Sequence, residues 1–515
     1  MPSRRFARAD APGFALGLAP VAGLAARARL TSKRRFARGG VAALTALGLL
    51  GFASEARASG YLTARYGSDM GTPATPNAYA VYYNPAAMGG THGTNVVIDA
   101  SLVARFASYE RAATAPTADC QKDPDCVAAN TGKGTLKNLL ALPYIGATTD
   151  LGTKDFRLGL AGYIPYGGMA TWDKKGGVQG IPGSTDGPQR WHTISGTILA
   201  MHATLAASYT LPANLSLGAS VSGIYHTVGT VRARNADDGD VVRGPDGSLT
   251  EGRSYLKANA FNVGATFGLY WAPEHLGSLA LDHRLKLGVS YTSQPGFGET
   301  RMSGELTQVL GSGVAGDIQK IDFLQTYPDI IRFGAAYKLP GDKWELKADV
   351  DFVRWSVFDR QCVVLAGKNC NIDSATGGPA GATDAEKAAN SRDVVLNLKR
   401  DWQNAVGFRA GPSYFLSPEV ELFGSLGFST SAVPKATIDA NTIDSFRIYA
   451  AAGLRYELSK RIALAGSYNH IFFVPVDNTG VSVYAKNLQP SRSPSAEGKY
   501  SSTIGMLNAN ATLTF

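Results

Sequence analysis

The chain is poor in charge and in cysteine, and it has no long hydrophobic run. Charged residues make up 18 % of the 515 positions, against a usual ~25 %. With aromatics at 10 %, that composition excludes a disordered chain. No stretch approaches the ~18–20 apolar residues of a spanning helix, so no transmembrane helix is expected. Histidine is scarce. The seven (His92, His192, His202, His226, His275, His283, His470) are scattered and never pair at i, i+4. No H-E-x-x-H, G-x-S-x-G, Walker A or usable G-x-G-x-x-G motif is present. Asp349 and Asp351 could pass as a carboxylate pair, but Glu345 and Lys347 share their strand face. His202 and His226 fall on positions expected to face a lumen. No catalytic residue, metal or cofactor is expected, and the protein is not expected to be an enzyme.

The abundant features point elsewhere. The 59 glycines exceed 11 % of the chain, against a usual ~7 %. The net charge of +9 suggests a nucleic-acid or anionic-lipid binder only until it is mapped. Residues 1–58 hold ten basic and two acidic residues, which is +8 of the +9. Within them, Ser32–Arg38 is a basic region, Val41–Ala53 is a 13-residue apolar run, and Ala56-Arg57-Ala58 is an A-x-A site. That order describes a secretory signal peptide cut after Ala58, preceded by an N-terminal extension. Once removed, it leaves a nearly neutral protein with no expected nucleic-acid partner.

An exported chain can form disulfides. The four cysteines fall in two close pairs within CQKDPDC and CVVLAGKNC, so bridges Cys120–Cys126 and Cys362–Cys370 are expected, each closing a local loop. A metal site is the rival, but metal spacing is tighter and neither segment holds histidine.

Period-two alternation dominates after residue 94. Leu215, Leu217, Ala219, Val221 and Tyr225 oppose Ser216, Ser220, Ser222 and His226. Trp344, Leu346, Ala348, Val350 and Phe352 oppose Glu345, Lys347, Asp349 and Asp351. A strand sorts residues this way because successive side chains point to opposite faces. Connections alternate short (151–155, 211–214, 273–282, 339–343, 416–419, 458–461) and long (110–137, 169–190, 234–252, 296–327, 359–400, 431–443, 476–499). Thirteen connections imply fourteen strands with both ends on the short-turn side. The expected fold is all-β, a transmembrane antiparallel barrel of about 14 strands over 95–515 in a bacterial outer membrane. A secreted sandwich or propeller is the alternative. Trp172, Trp191, Trp271, Trp344, Trp355 and Trp402 lie near strand ends, where interfacial girdles form. Residues 507–515 (LNANATLTF) alternate five times and end on Phe515, resembling the signal read by the barrel-assembly machinery.

Residues 59–94 depart from the pattern. They are rich in Gly, Ala, Pro and Tyr, and Pro73, Pro76 and Pro85 make a regular strand unfavourable. Small and aromatic residues with few charges suit an insert packed inside the barrel. Ser59-Gly60-Tyr61, Asn84-Pro85-Ala86, Tyr163–Gly168 followed by Thr171-Trp172, Leu215–Ala219, Phe352–Asp359 and Gly498-Lys499-Tyr500 occur in that order. Together they resemble the FadL/TodX-type outer-membrane transporters of long-chain fatty acids and hydrophobic compounds. The resemblance implies an N-terminal hatch over 59–94 gated near Asn84, Pro85 and Ala86, passive uptake of a fatty acid or hydrocarbon, and lateral exit through the wall. It departs from the family pattern between Gly71 and Ala80 and in the long cysteine-bearing loops. Outer-membrane lipid and lipopolysaccharide are the expected surroundings, and a monomer is the expected state. A general or aromatic-hydrocarbon porin, or a surface barrel for adhesion, remains the alternative.

Overall fold

The computed structural model describes residues 65–235, 239–309, 311, 316–373, 378–486 and 493–515. The expected leader and residues 59–64 lie outside the described residues.

Fourteen antiparallel strands close into one barrel. They are β1 (Thr94–Arg111), β2 (Gly132–Thr149), β3 (Phe156–Thr171), β4 (Ser195–Leu211), β5 (Leu215–Arg234) and β6 (Gly252–Trp271). Four two-part strands follow: β7 (Leu285–Thr292 and Glu299–Val309), β8 (Gln319–Thr326 and Ile330–Lys338), β9 (Trp344–Val353 and Arg360–Leu365) and β10 (Val394–Lys399 and Ala405–Phe415). The last are β11 (Val420–Ser429), β12 (Arg447–Ser459), β13 (Ile462–Phe473) and β14 (Gly498–Thr514). Closure comes from β14 pairing with β1, from Asn95↔Thr514 to Arg111↔Gly498. Phe515 N–H adds a hydrogen bond to Thr94 O.

The outward face is a band of exposed apolar side chains. Ile98, Leu102 and Phe106 on β1 join Leu160 on β3, Leu205 on β4, Val221 on β5 and Phe261 and Phe267 on β6. Leu346, Leu426, Leu454 and Leu507 continue it. Asn508 and Asn510, between the apolar positions of the last strand, are buried inward. Apolar-out and polar-in is the alternation that a bilayer requires of a barrel.

Two sequence expectations need correction. The segments 296–327 and 359–400 are not simply loops. They contain the upper arms of β7, β8, β9 and β10, and Cys362 lies in one of these arms. The arms carry Glu299, Arg301, Glu305, Lys320 and Arg360, whose charges pair along the wall, as in Arg301–Asp322 at 2.8 Å. An arm with charges outward loses the apolar alternation by which a strand is recognised. The tryptophan girdle is also smaller than expected. Trp344 is 44 % exposed and packs on Tyr414 at a 4.6 Å centroid distance, and Trp271 is half-buried. Trp172, Trp191, Trp355 and Trp402 are buried.

Leu205 tests the band. It lies mid-strand and is 61 % exposed. Leu205→Arg should destabilise the protein in vesicles by about 2–4 kcal/mol, measured by urea unfolding. An unchanged midpoint would mean that this face does not meet lipid.

Candidate transport site

Residues 65–93 fill the lower lumen. Ala80–Tyr83 forms one α-helical turn and Pro85–Gly90 a 3-10 turn, and both are largely buried. Pro85 sits at the first turn, where its missing N–H costs nothing. Asn84, fully buried, holds the segment together. Its Oδ1 accepts from Ala86 N–H at 3.1 Å, while Nδ2 donates to Pro73 O at 2.9 Å and Leu269 O at 2.9 Å. The side chain thus caps a turn, ties two stretches of the plug and reaches β6.

The wall accommodates this contact by lacking side chains. A Cβ on Gly159 would meet Met88 and Val81, and one on Gly218 would meet Ala86 backbone. One on Gly268 would strike Asn84, and one on Gly288 or Gly334 would strike Pro73. These inward glycines on β3, β5, β6, β7 and β8 form a seat for plug backbone.

Tyrosines seal the adjoining flank. Tyr66, Tyr79, Tyr82 and Tyr83 of the plug cluster with Tyr144 and Tyr163 of the wall. Tyr79 O–H donates to Asp99 Oδ2 at 2.7 Å, and Gly67 N–H donates to the same oxygen at 2.9 Å. Asn508 Nδ2 donates to Asp99 Oδ1 at 2.7 Å. Across the lumen, Arg65 pairs with Asp349 at 2.5 Å, and Arg332 donates to Tyr82 Oη at 3.1 Å.

The wall has an interruption beside this plug. β2 and β3 pair only from Tyr144↔Tyr163 to Thr149↔Leu158, followed much higher by an isolated bridge, Leu136↔Trp172. Between them, residues 137–143 face 164–171 without a ladder. The register of β3 on β4 shifts between Tyr163 and Tyr166, and Pro143 and Pro165 stand beside the break with no N–H to offer. At the bulge β3 turns inward. Tyr166 O–H reaches Pro328 O on the far wall at 3.1 Å, and its ring packs on Tyr327 at 5.3 Å. Asn138 spans the interruption, donating to Met169 O at 2.6 Å and accepting from Thr171 N–H at 3.4 Å.

A chamber lies above the plug, with an empty volume of about 1540 Å³ including its space open to solvent. Leu140, Ile198, Val228, Leu256, Phe323 and Ile504 give it apolar walls. Asn138, Leu140 and Gly167–Ala170 bring it against the wall interruption. Arg105, Arg232, Arg234 and Arg447 also line it, with Asp444 and His192. Burial pushes the His192 imidazole down to about 4, so it is neutral, and pushes the Asp444 carboxyl up to about 6.

Asn84, Pro85 and Ala86 therefore lie together at the glycine seat. The cysteines do not join them. Cys120 and Cys126 are bridged in the loop after β1, with Cα atoms 5.3 Å apart. Cys362 and Cys370 are bridged at the upper arm of β9, 6.3 Å apart. His202 and His226 face the lumen and are buried against Tyr163 and Tyr327. Arg65, Asp99, Tyr166 and Asn138 were not legible as site residues. The inward parity of Gly159, Gly218, Gly268, Gly288 and Gly334 was the available signal for the seat.

A closed, plugged barrel with an apolar outer band belongs to the class of outer-membrane β-barrel proteins. Residues 51–515 match the family described as outer membrane protein transport protein (OMPP1/FadL/TodX), and the chain belongs to it. Its place is the bacterial outer membrane. Among solved structures it is similar to a Pseudomonas aeruginosa FadL homologue, at 16 % identity and a TM-score of 0.67, covering 90 % of this chain and 100 % of that one. It is also similar to the Pseudomonas putida toluene transporter TodX, at 13 % identity and 0.58, covering 90 % and 99 %. The Ralstonia pickettii toluene transporter TbuX matches at 12 % identity and 0.55, covering 89 % and 99 %. A putative outer membrane protein of Neisseria meningitidis serogroup B, NMB0088, is 26 % identical over 145 residues, spanning 28 % of this chain and 27 % of that protein.

Asn84→Ala removes the cap and leaves buried carbonyls unpaired. Plug docking should weaken by about 2–4 kcal/mol, seen as faster proteolysis within 65–93 while the barrel keeps its heat-modifiable migration. Unchanged proteolysis would deny Asn84 its anchoring role.

Proposed function

We propose that the protein takes up hydrophobic molecules passively, with long-chain fatty acids as the favoured class. One observation carries this reading: the apolar chamber abuts the stretch of wall where β2 and β3 lack a ladder. A molecule entering among the extracellular loops would exchange water for the chamber walls, gaining roughly 0.8 kcal/mol per buried CH2. Residues 59–94 serve as the hatch, with Asn84, Pro85 and Ala86 at its fulcrum. Exit is sideways between Asn138-Leu140 and Gly167–Ala170 into the surrounding lipid. The chamber arginines favour a substrate with a carboxylate over a neutral hydrocarbon.

An aromatic hydrocarbon is the second reading, favoured by the aromatic partition of Tyr166, Tyr327, Trp355 and Trp402 beneath the chamber. A general porin is disfavoured because buried side chains of the plug occupy the lumen. The protein acts as a monomer without catalysis, inserted by the barrel-assembly machinery through β14 and held among lipid and lipopolysaccharide.

Uptake of labelled oleate and toluene by cells with and without the protein separates the two substrates. Oleate uptake should depend on the protein and fall at least ~10-fold in Gly168→Trp, which narrows the window. Uptake that survives this substitution would exclude the lateral exit. The leader is proposed to be cut after Ala58. Intact mass of the outer-membrane form should correspond to Ser59–Phe515, and a heavier chain retaining 1–58 would refute the cleavage.

A further inference from the structure

The loop after β9 folds back onto the outside of the barrel. Phe323 and Val363 line the chamber, so their strand neighbours Leu324, Cys362 and Val364 point outward. All three are nonetheless buried, in one cluster with Cys370 and Val394. Arg301, on the outward face of β7, fastens the loop there. Its guanidinium donates to Lys368 O at 2.8 Å, to Asn369 Oδ1 at 3.0 Å and to Asp322 Oδ2 at 2.8 Å. Asp322 Oδ2 also accepts from Gly367 N–H at 2.9 Å.

Beside this cover, a groove crosses the outer wall of β4–β8 and ends at Ala366. Its empty volume is about 1320 Å³, including space open to solvent. The strand register builds it from two outward rungs. The lower rung carries Thr227, Asn259 and Ser303. The upper rung carries Thr197, Gly229, Lys257, Glu305 and Lys320. Thr197, Thr227 and Gly229 are small, which leaves the groove its depth.

The height of the groove is set by the same register. Tyr225 and Phe261 pair one outward position below Thr227 and Asn259, and both are exposed in the apolar band. Two residues span about 7 Å along a strand. The groove therefore begins where the apolar band ends, on the side of the long loops. A bilayer changes there from acyl chains to headgroups.

The side chains suit a headgroup that carries both phosphate and sugar. Glu305 stands between Lys257 and Lys320 on the upper rung and pairs with Lys320. Among the described residues nothing pairs with the Lys257 ammonium. Thr227, Asn259 and Ser303 offer hydroxyl and amide groups beside it. Tyr255, exposed one outward position above Lys257, presents an aromatic face.

We propose that this groove binds the phosphorylated diglucosamine headgroup of one lipopolysaccharide molecule. Lys257 holds a phosphate, the lower rung meets sugar hydroxyls, and the acyl chains descend over Tyr225 and Phe261. The proposal rests on the outer-membrane surroundings and not on the uptake reading, because the groove lies outside the chamber.

The purified outer-membrane form in dodecyl maltoside, titrated with diphosphoryl lipid A and followed by native mass spectrometry, tests this. One lipid A per barrel is expected. Affinity should fall at least ~10-fold in Lys257→Glu and by a similar factor when the lipid A is dephosphorylated, while Lys257→Arg keeps it. Thr227→Trp fills the groove from the wall and should remove the bound lipid. If that variant loses heat-modifiable migration, Ser303→Trp replaces it. A barrel that binds no lipid A overturns the proposal, as does an affinity that neither Lys257→Glu nor the filled groove changes. Equal affinity for dephosphorylated lipid A, or phosphatidylglycerol bound as tightly, overturns it too. Oleate uptake should be unchanged in these variants, so the transport reading stands or falls separately.

Discussion

Within a bilayer, every backbone N–H and C=O must find its partner in the protein, and the whole structure follows from that constraint. Closure of β14 on β1 removes the sheet edges that an open structure would expose. The same rule makes the break between β2 and β3 informative. A wall can lose its ladder only if other groups take over, and Asn138 does so for Met169 O and Thr171 N–H. Prolines at 143 and 165 reduce the number of donors to be satisfied there. The break is thus built into the wall.

The plug and the break are mechanically linked. Tyr66 Oη accepts from Ile164 N–H at 2.7 Å, immediately beside the bulge that turns β3 inward. A plug residue therefore holds the lower edge of the interruption. Without Tyr66 in place, the Ile164 N–H would lose this acceptor. Tyr166 extends the linkage across the lumen to Pro328. The lumen is divided by chemistry as well: aromatic and glycine contacts hold one flank of the plug, and ion pairs hold the other. Packing of rings against small residues shapes the first flank, whereas directed pairs such as Arg65–Asp349 fix the other.

Much of this was legible in the sequence because membrane strands impose a strict period. The alternation at 344–352 separates lipid-facing Trp344 and Leu346 from lumen-facing Glu345 and Asp349, and the structure places them so. The last strand behaves likewise. The upper arms of β7–β10 escaped because they rise beyond the apolar band, where charged residues such as Arg301 and Lys320 face outward and erase the period. The buried tryptophans escaped for a related reason. A strand end near the bilayer rim and a strand end turning into the lumen look alike in one dimension. Asn84-Pro85-Ala86 stood out as a motif, but its hydrogen bond to Leu269 O joins residues 185 positions apart.

The sequence by itself determined the strand count, the alternation of short and long connections and the presence of an aromatic, proline-bearing segment ahead of the first strand. Those features are local, set by side-chain period and turn chemistry. Only the tertiary structure decided which glycines form a seat, which tyrosine holds the kinked strand, where the ladder breaks and which charges meet across the lumen. Each of these depends on strands far apart in the chain arriving at one height around a closed barrel, and that height follows from the register of the whole ladder.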